Sequence, residues 1–119
     1  MDNPVVIVDY DPRWPTFCEK ERELICKALE GRARAIEHVG STAVPGLGGK
    51  NIIDIMVGVQ NLDEANKCLS PLGSLGYRDV TPQPDNAEWY YCLAKGHHSV
   101  GYHLHLVKFN AHSKNRIII

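Results

Sequence analysis

The chain has 119 residues, of which 44% are apolar and 23% charged, with a formal net charge of −1. That size and balance fit one compact α/β or α+β domain with a single core and leave no room for a second. Lys and Arg are spread rather than clustered, which excludes the electrostatic footprint of a binder of duplex nucleic acid or of an anionic membrane and points to a small ligand. No apolar run approaches the roughly 20 residues that cross a bilayer, and "MDNPVVIVDY" lacks the basic and long apolar regions of a signal peptide, so a cytoplasmic protein is expected. Cys18, Cys26, Cys68 and Cys92 form no CxxC pair and read as small core residues.

In chain order, "VVIVDY" reads as a short strand or extended arm. "DPRW" then reads as a helix start, with Asp11 as the N-cap and Pro12 in the first turn. The apolar positions Trp14, Phe17, Cys18, Leu24, Ile25, Ala28 and Leu29 recur with helical spacing up to about Glu30, where Gly31 stops the helix. "RARAIEHV", Arg32 to Val39, alternates weakly and is expected as the first central strand, ending at Gly40. "NIIDIMVGV", Asn51 to Val59, is apolar on both faces, as a strand covered on each side should be. A helix follows from about Leu62, with Leu62, Ala65, Leu69 and Leu72 on one side, Pro71 kinking or restarting it, and Gly76 closing it. "YRDVT" is a short strand and "TPQPDN" a loop. "EWYYCLAK" and "YHLHLVKF" form a hairpin across "GHHSVG", which leaves His97 and His98 in a solvated turn.

Chemistry concentrates in three places. After the first strand, Gly40 allows close backbone approach while Ser41 and Thr42 add hydroxyls beside free N–H groups, and Lys50 adds charge; the loop reads either as a cradle for phosphate oxygens or as an ordinary capped turn. Asp54 interrupts an apolar strand, pointing away from Ile53, Ile55, Val57 and Val59. Its charge therefore needs a cation, a metal or several N–H donors, unless it is a structural carboxylate that ties down the Gly40 to Gly49 loop. In "YHLHL", period-two alternation puts His103 and His105 on one strand face, where paired imidazoles can bind a metal, bind phosphate, act as acid and base, or simply sit partly exposed.

The segments "VDYDPRWPTFCEKERELI", "IEHVGSTAVPGLGGKNIIDIMVGV" and "HLHLV" together resemble the GrpB family, placed in the nucleotidyltransferase superfamily, over about Val5 to Val107. The resemblance implies a mixed β-sheet flanked by helices. It also implies kinship with enzymes that bind a nucleoside triphosphate by a Gly-Ser loop and hold divalent metals on a carboxylate pair plus a third carboxylate from a later strand. Gly40 and Ser41 match the Gly-Ser, and Asp54 matches one member of the pair, but the positions two away are Ile52 and Met56. His103 and His105 stand where the third carboxylate is expected. One Asp with two His suits a single softer ion such as Mn²⁺ or Zn²⁺ better than paired Mg²⁺.

Two functions follow from the resemblance. In the first, a metal-assisted nucleotidyl or phosphoryl transferase holds phosphates on Gly40, Ser41 and Thr42, neutralises charge with Lys50, and uses Asp54, His103 and His105 as catalytic metal ligands. In the second, a noncatalytic nucleotide- or phosphate-binding module keeps the loop and uses Asp54 to brace it. Family members continue after the His-x-His strand into a further helix where this chain runs "KFNAHSKNRIII", so the expectation is a single domain, 1–119, without that helix. An apolar patch left by it would draw Ile117, Ile118 and Ile119, and a homodimer is expected from that.

Overall fold

The computed structural model describes residues 7–81, 91–97 and 100–109. Two helices, α1 (Trp14–Leu29) and α2 (Leu62–Ser74), pack on a sheet of β1 (Ala35–Val39), β2 (Ile52–Val59), β3 (Arg78–Asp79), β4 (Tyr91–His97) and β5 (Val100–Lys108). The strand order is β1-β2-β5-β4-β3. β2 and β5 run parallel, and the other pairings are antiparallel, so the sheet is mixed. The strand at Ala35–Val39 is thus an edge strand, not a central one: the chain returns from it through the loop 40–51 into β2, which runs antiparallel to it and pairs on its other side with β5.

Both helices lie on one face. Their buried residues Trp14, Cys18, Ile25, Leu29, Ala65, Cys68 and Leu72 join Ile53, Ile55, Val57, Val59, Leu104 and Leu106 in one core. The alternation of β2 explains this: Ile53, Ile55, Val57 and Val59 are fully buried against the helices, while Ile52, Asp54, Met56 and Gly58 face the other way. On that second face only a small cluster forms, Met56 and Val107 with Ala35 and Val39 packed against it, and no helix of the described residues covers it. A strand apolar on both sides is here a strand whose second face is only partly filled.

Several boundaries differ from the sequence pattern for local reasons. Asp11 does not cap α1. Its carboxylate accepts from the Arg13 N–H at 2.8 Å and pairs with the Arg13 guanidinium, and the helix begins after a turn, with Arg13 at the cap position and Pro15 in its first turn. That pairing holds the Asp11 carboxyl below its usual pKa, chiefly through the Arg13 side-chain hydrogen bonds. Glu30 itself takes the left-handed cap conformation (φ 51°), one residue before Gly31. Leu24 is on the solvent side, 46% exposed, and the buried place in that stripe goes to Glu21.

α2 continues through Pro71 without a restart; Asn61 caps its start by accepting from the Glu64 N–H at 2.9 Å. His97 is the last residue of β4, paired with Val100, rather than part of the turn. Residues of "TPQPDN" after Thr81, the beginning of "EWYYCLAK", His98, the tail from 110 onward and the first six residues lie outside the described set. Cys18 and Cys68 are buried and Cys92 partly so, but Cys26 is exposed; burial pushes the Cys18 thiol up to about 11.

Glu21 sits at the junction of α1 with β4. Its Oε2 accepts from Lys95 Nζ at 2.7 Å and from the Tyr77 hydroxyl at 2.8 Å. The Lys95 ammonium also lies 5.4 Å from the Tyr77 ring centroid and 5.6 Å from that of Tyr102. A buried carboxylate so enclosed is satisfied electrostatically and fixes the hairpin against α1. Burial, then the nearby Glu21 charge, pushes the Tyr77 hydroxyl far above its usual pKa.

Candidate functional site

β1 ends at Gly40, whose φ of 77° and ψ of −171° are open essentially to glycine alone. A Cβ there would stand 2.8 Å from Asp54 Oδ2. The group that requires Gly40 bare is therefore the Asp54 carboxylate, a different reason from the close approach of a ligand. A short 3-10 turn over Ser41–Ala43 follows. At Gly49 a Cβ would meet Ser41 Oγ at 2.5 Å, so the two sides of the loop lie against each other.

Three elements hold this loop. Val8 and Gly49 exchange backbone hydrogen bonds of 2.8 and 2.9 Å, clamping the N-terminal arm onto it. The buried Trp14 indole N–H donates to Asn51 Oδ1 at 2.8 Å. His38, turned toward the helix side of β1, shares a 2.8 Å hydrogen bond between its Nε2 and Thr42 Oγ1. Thr42 is 1% exposed, so its hydroxyl anchors the loop from behind instead of lining its mouth. Burial lowers the His38 pKa against the opposing pull of the Asp54 charge, which keeps the imidazole neutral around pH 7.

The parallel pairing of β2 with β5 brings the other residues together. Asp54 is in register with His103, and Met56 with His105. His105 Nε2–H donates to Asp54 Oδ1 at 3.2 Å, and His103 Nδ1 stands 3.7 Å from the same oxygen. The two rings lie edge to face, 6.5 Å apart. Asp54 thus has Oδ2 packed beside Gly40 and Oδ1 hydrogen-bonded to His105 with His103 close by, His103 being the more exposed of the pair, at 40% against 21%.

A groove of about 440 Å³ opens beside these groups. It is lined by Ser41, Gly49, Lys50, Asp54 and His103, together with Ile7 and Ile52. Its volume is in the range of small-molecule sites, roughly 300–1,000 Å³. Lys50 is exposed and, among the described residues, makes no ion pair. Of the residues expected to bind phosphate, Ser41 and Lys50 line the groove directly, Gly40 shapes it through Asp54, and Thr42 anchors it.

The metal pattern of the superfamily can be tested on the donors. Ile52 and Met56 flank Asp54 where a second carboxylate would stand, and no three His, Cys, Asp or Glu side chains among the described residues form a group placed to hold a metal ion. These residues do not fit a two-metal centre. Sequence reasoning missed two neighbours. Glu37 pairs with Met56 and so shares the face of Asp54 and His105; its alternation with Val39 was the available signal. His38 was hidden because its partner, Thr42, is recognisable only in three dimensions.

A mixed sheet with helices on one face, and a Gly-Ser loop leading into a strand that carries an aspartate, define a nucleotidyltransferase-like fold. The chain belongs to the GrpB family: the profile described as GrpB protein matches residues 4–119. The crystal structure of conserved protein GrpB from Enterococcus faecalis is similar, with a TM-score of 0.77 at 26% identity over 89% of this chain and 63% of that one. A UPF0157 protein of Pseudomonas aeruginosa is 34% identical over 108 residues, 89% of this chain and 45% of that protein. A UPF0157 protein of Halalkalibacterium halodurans is 38% identical over 81 residues, 68% and 42%. A protein of Mycolicibacterium paratuberculosis named dephospho-CoA kinase is 38% identical over 77 residues, 62% of this chain and 19% of that protein. The chain therefore spans less than half the length of these curated relatives. No helix of the described residues is long and apolar enough to cross a membrane.

Proposed function

We propose that the chain binds a phosphate ester, with nucleoside triphosphates as the leading class, in the groove between the Gly40–Lys50 loop and β5, and acts as a binding module rather than a two-metal transferase. The observation that supports this best is the convergence of Ser41, Lys50 and His103 on one groove where the one carboxylate among the described lining residues, Asp54, is already engaged by His105 and packed under Gly40. A carboxylate bonded to imidazole repels an incoming phosphate less than a free one does, while Lys50 offers a cation that no described carboxylate pairs with. The relative named dephospho-CoA kinase handles phosphate esters by its name, which adds support for this ligand class.

Calorimetric titration with ATP tests the reading. Binding to the parent chain, weakened about tenfold or more in Lys50→Ala with the melting temperature unchanged, is the expected result. Equal binding by parent and Lys50→Ala would place the ligand elsewhere.

A second reading, one divalent ion held by Asp54, His103 and His105 for nucleotidyl or phosphoryl transfer, draws on the approach of both imidazole nitrogens to the same Oδ1, although the three side chains as they stand form no group placed to hold a metal ion. It requires the His105–Asp54 hydrogen bond to open. Titration with Mn²⁺, Zn²⁺ and Mg²⁺ decides it: saturable binding abolished by Asp54→Asn supports the ion, and its absence with or without ATP removes the transferase.

A further inference from the structure

We infer that the N-terminal arm forms a specificity wall of the groove, with Ile7 as the residue that reads the organic part of the ligand. The ligand is then a phosphate ester bearing a flat or apolar group, such as a nucleobase, and not an inorganic polyphosphate. This inference rests on the phosphate-binding reading above.

Ile7 is 66% exposed, the most exposed large apolar side chain among the described residues, yet it lines the groove together with Ile52, Lys50 and His103. Its position is specified by its neighbours. The arm alternates: Val8 and Tyr10 are partly buried and pack on the core, while Ile7 and Asp9 turn outward. Val8 is locked to Gly49 by two backbone hydrogen bonds, and Tyr10 meets the buried Trp14 ring edge to face at 5.3 Å.

Gly48 lets the arm approach so closely, since a Cβ there would stand 2.7 Å from the Val8 carbonyl oxygen. Ile52 is the second apolar wall; it lies over Gly101, where a Cβ would stand 3.6 Å from its Cγ1. A phosphate group has no use for two isoleucines, and a groove of about 440 Å³ is far larger than one phosphate. Apolar surface fixed in place beside a cation and a hydroxyl fits a ligand that is anionic at one end and apolar at the other.

Calorimetric titration of the full chain with ATP and, separately, with inorganic tripolyphosphate tests this, using the parent, Ile7→Ser and Ile7→Leu. Tripolyphosphate carries at least as much charge as ATP, so charge alone cannot favour the nucleotide. The expected result is ATP bound about tenfold more tightly than tripolyphosphate by the parent and by Ile7→Leu, with Ile7→Ser losing most of that preference through weaker ATP binding alone. Ile7 is exposed, so all three chains should unfold at the same temperature.

Tripolyphosphate bound as tightly as ATP, or both probes weakened equally by Ile7→Ser, would overturn the inference. The phosphate-binding reading would survive either outcome provided that Lys50→Ala still weakens both probes. Binding of neither probe to the parent would overturn both.

Discussion

Replacing Gly40 with alanine should destabilise the fold by about 3 kcal/mol, and the structure divides that figure in two. A non-glycine residue at a φ of 77° and ψ of −171° sits in a region that costs roughly 1–3 kcal/mol. The new Cβ would also stand 2.8 Å from Asp54 Oδ2, 3.3 Å from its Cβ and 3.4 Å from its Cγ, so the carboxylate has to turn away. Turning it breaks the 3.2 Å hydrogen bond from His105, which at this partly exposed site is worth about 1 kcal/mol. For a domain of this size the sum corresponds to a fall in melting temperature of about 10 °C. Gly46 provides the control: its φ is 82°, but a Cβ there would meet nothing within 4 Å, so Gly46→Ala carries only backbone strain of about 1 kcal/mol. Urea unfolding followed by circular dichroism, with the slope m compared across variants, reads both. A loss for Gly40→Ala no larger than that for Gly46→Ala would show that the contact with Asp54 contributes nothing.

Removing one partner of the buried Glu21–Lys95 pair should be severe: Lys95→Met strands a carboxylate whose side chain is 5% exposed, costs about 3–5 kcal/mol in urea unfolding, and is largely relieved by adding Glu21→Leu. His38 should make stability depend on pH. Its folded pKa is lowered by burial, so the unfolded chain binds more protons, and its contribution is complete above the unfolded pKa of about 6.5 and lost as pH falls from there toward the folded value. Melting temperatures measured between pH 8 and pH 5 should fall less steeply in His38→Gln than in the parent, and identical slopes would count against this role.

What the sequence showed best was the central pair of strands. The extent of β2 to within a residue and the shared face of Asp54, His103 and His105 follow from the pattern of the two strands, in each of which one face is a continuous apolar row, whereas β5 begins at Val100, two residues earlier than the alternation of "YHLHLVKF" suggests, because Val100 and Gly101 pair with β4 instead of forming the turn. The sequence was least informative where a polar side chain finds its partner far along the chain. Glu21 looks like a solvent-facing position in its helix until Lys95 and Tyr77 close over it, 74 and 56 residues away. The placement of β1 at the sheet edge was likewise hidden, since its five residues alternate in the same way whether one neighbour or two flank them. At the loop, glycine was recognisable as a requirement but its cause was not: the spacing suggests a ligand, and the structure puts the Asp54 carboxylate there.

Titrating ATP into isotopically labelled protein and mapping the backbone amide shifts locates the phosphate-ester site expected at the Gly40–Lys50 loop. A second groove, lined by Arg34, Gln60, Lys108 and Phe109, lies at the other end of β2 and serves as an internal comparison. Saturable shifts should concentrate at Gly40, Ser41, Gly49, Lys50, Asp54 and His103, with the amides of Arg34, Gln60 and Lys108 unmoved. Shifts concentrated at Arg34, Gln60 and Lys108, or none at the loop at saturating ATP, would rule out a phosphate site on the Gly40–Lys50 loop.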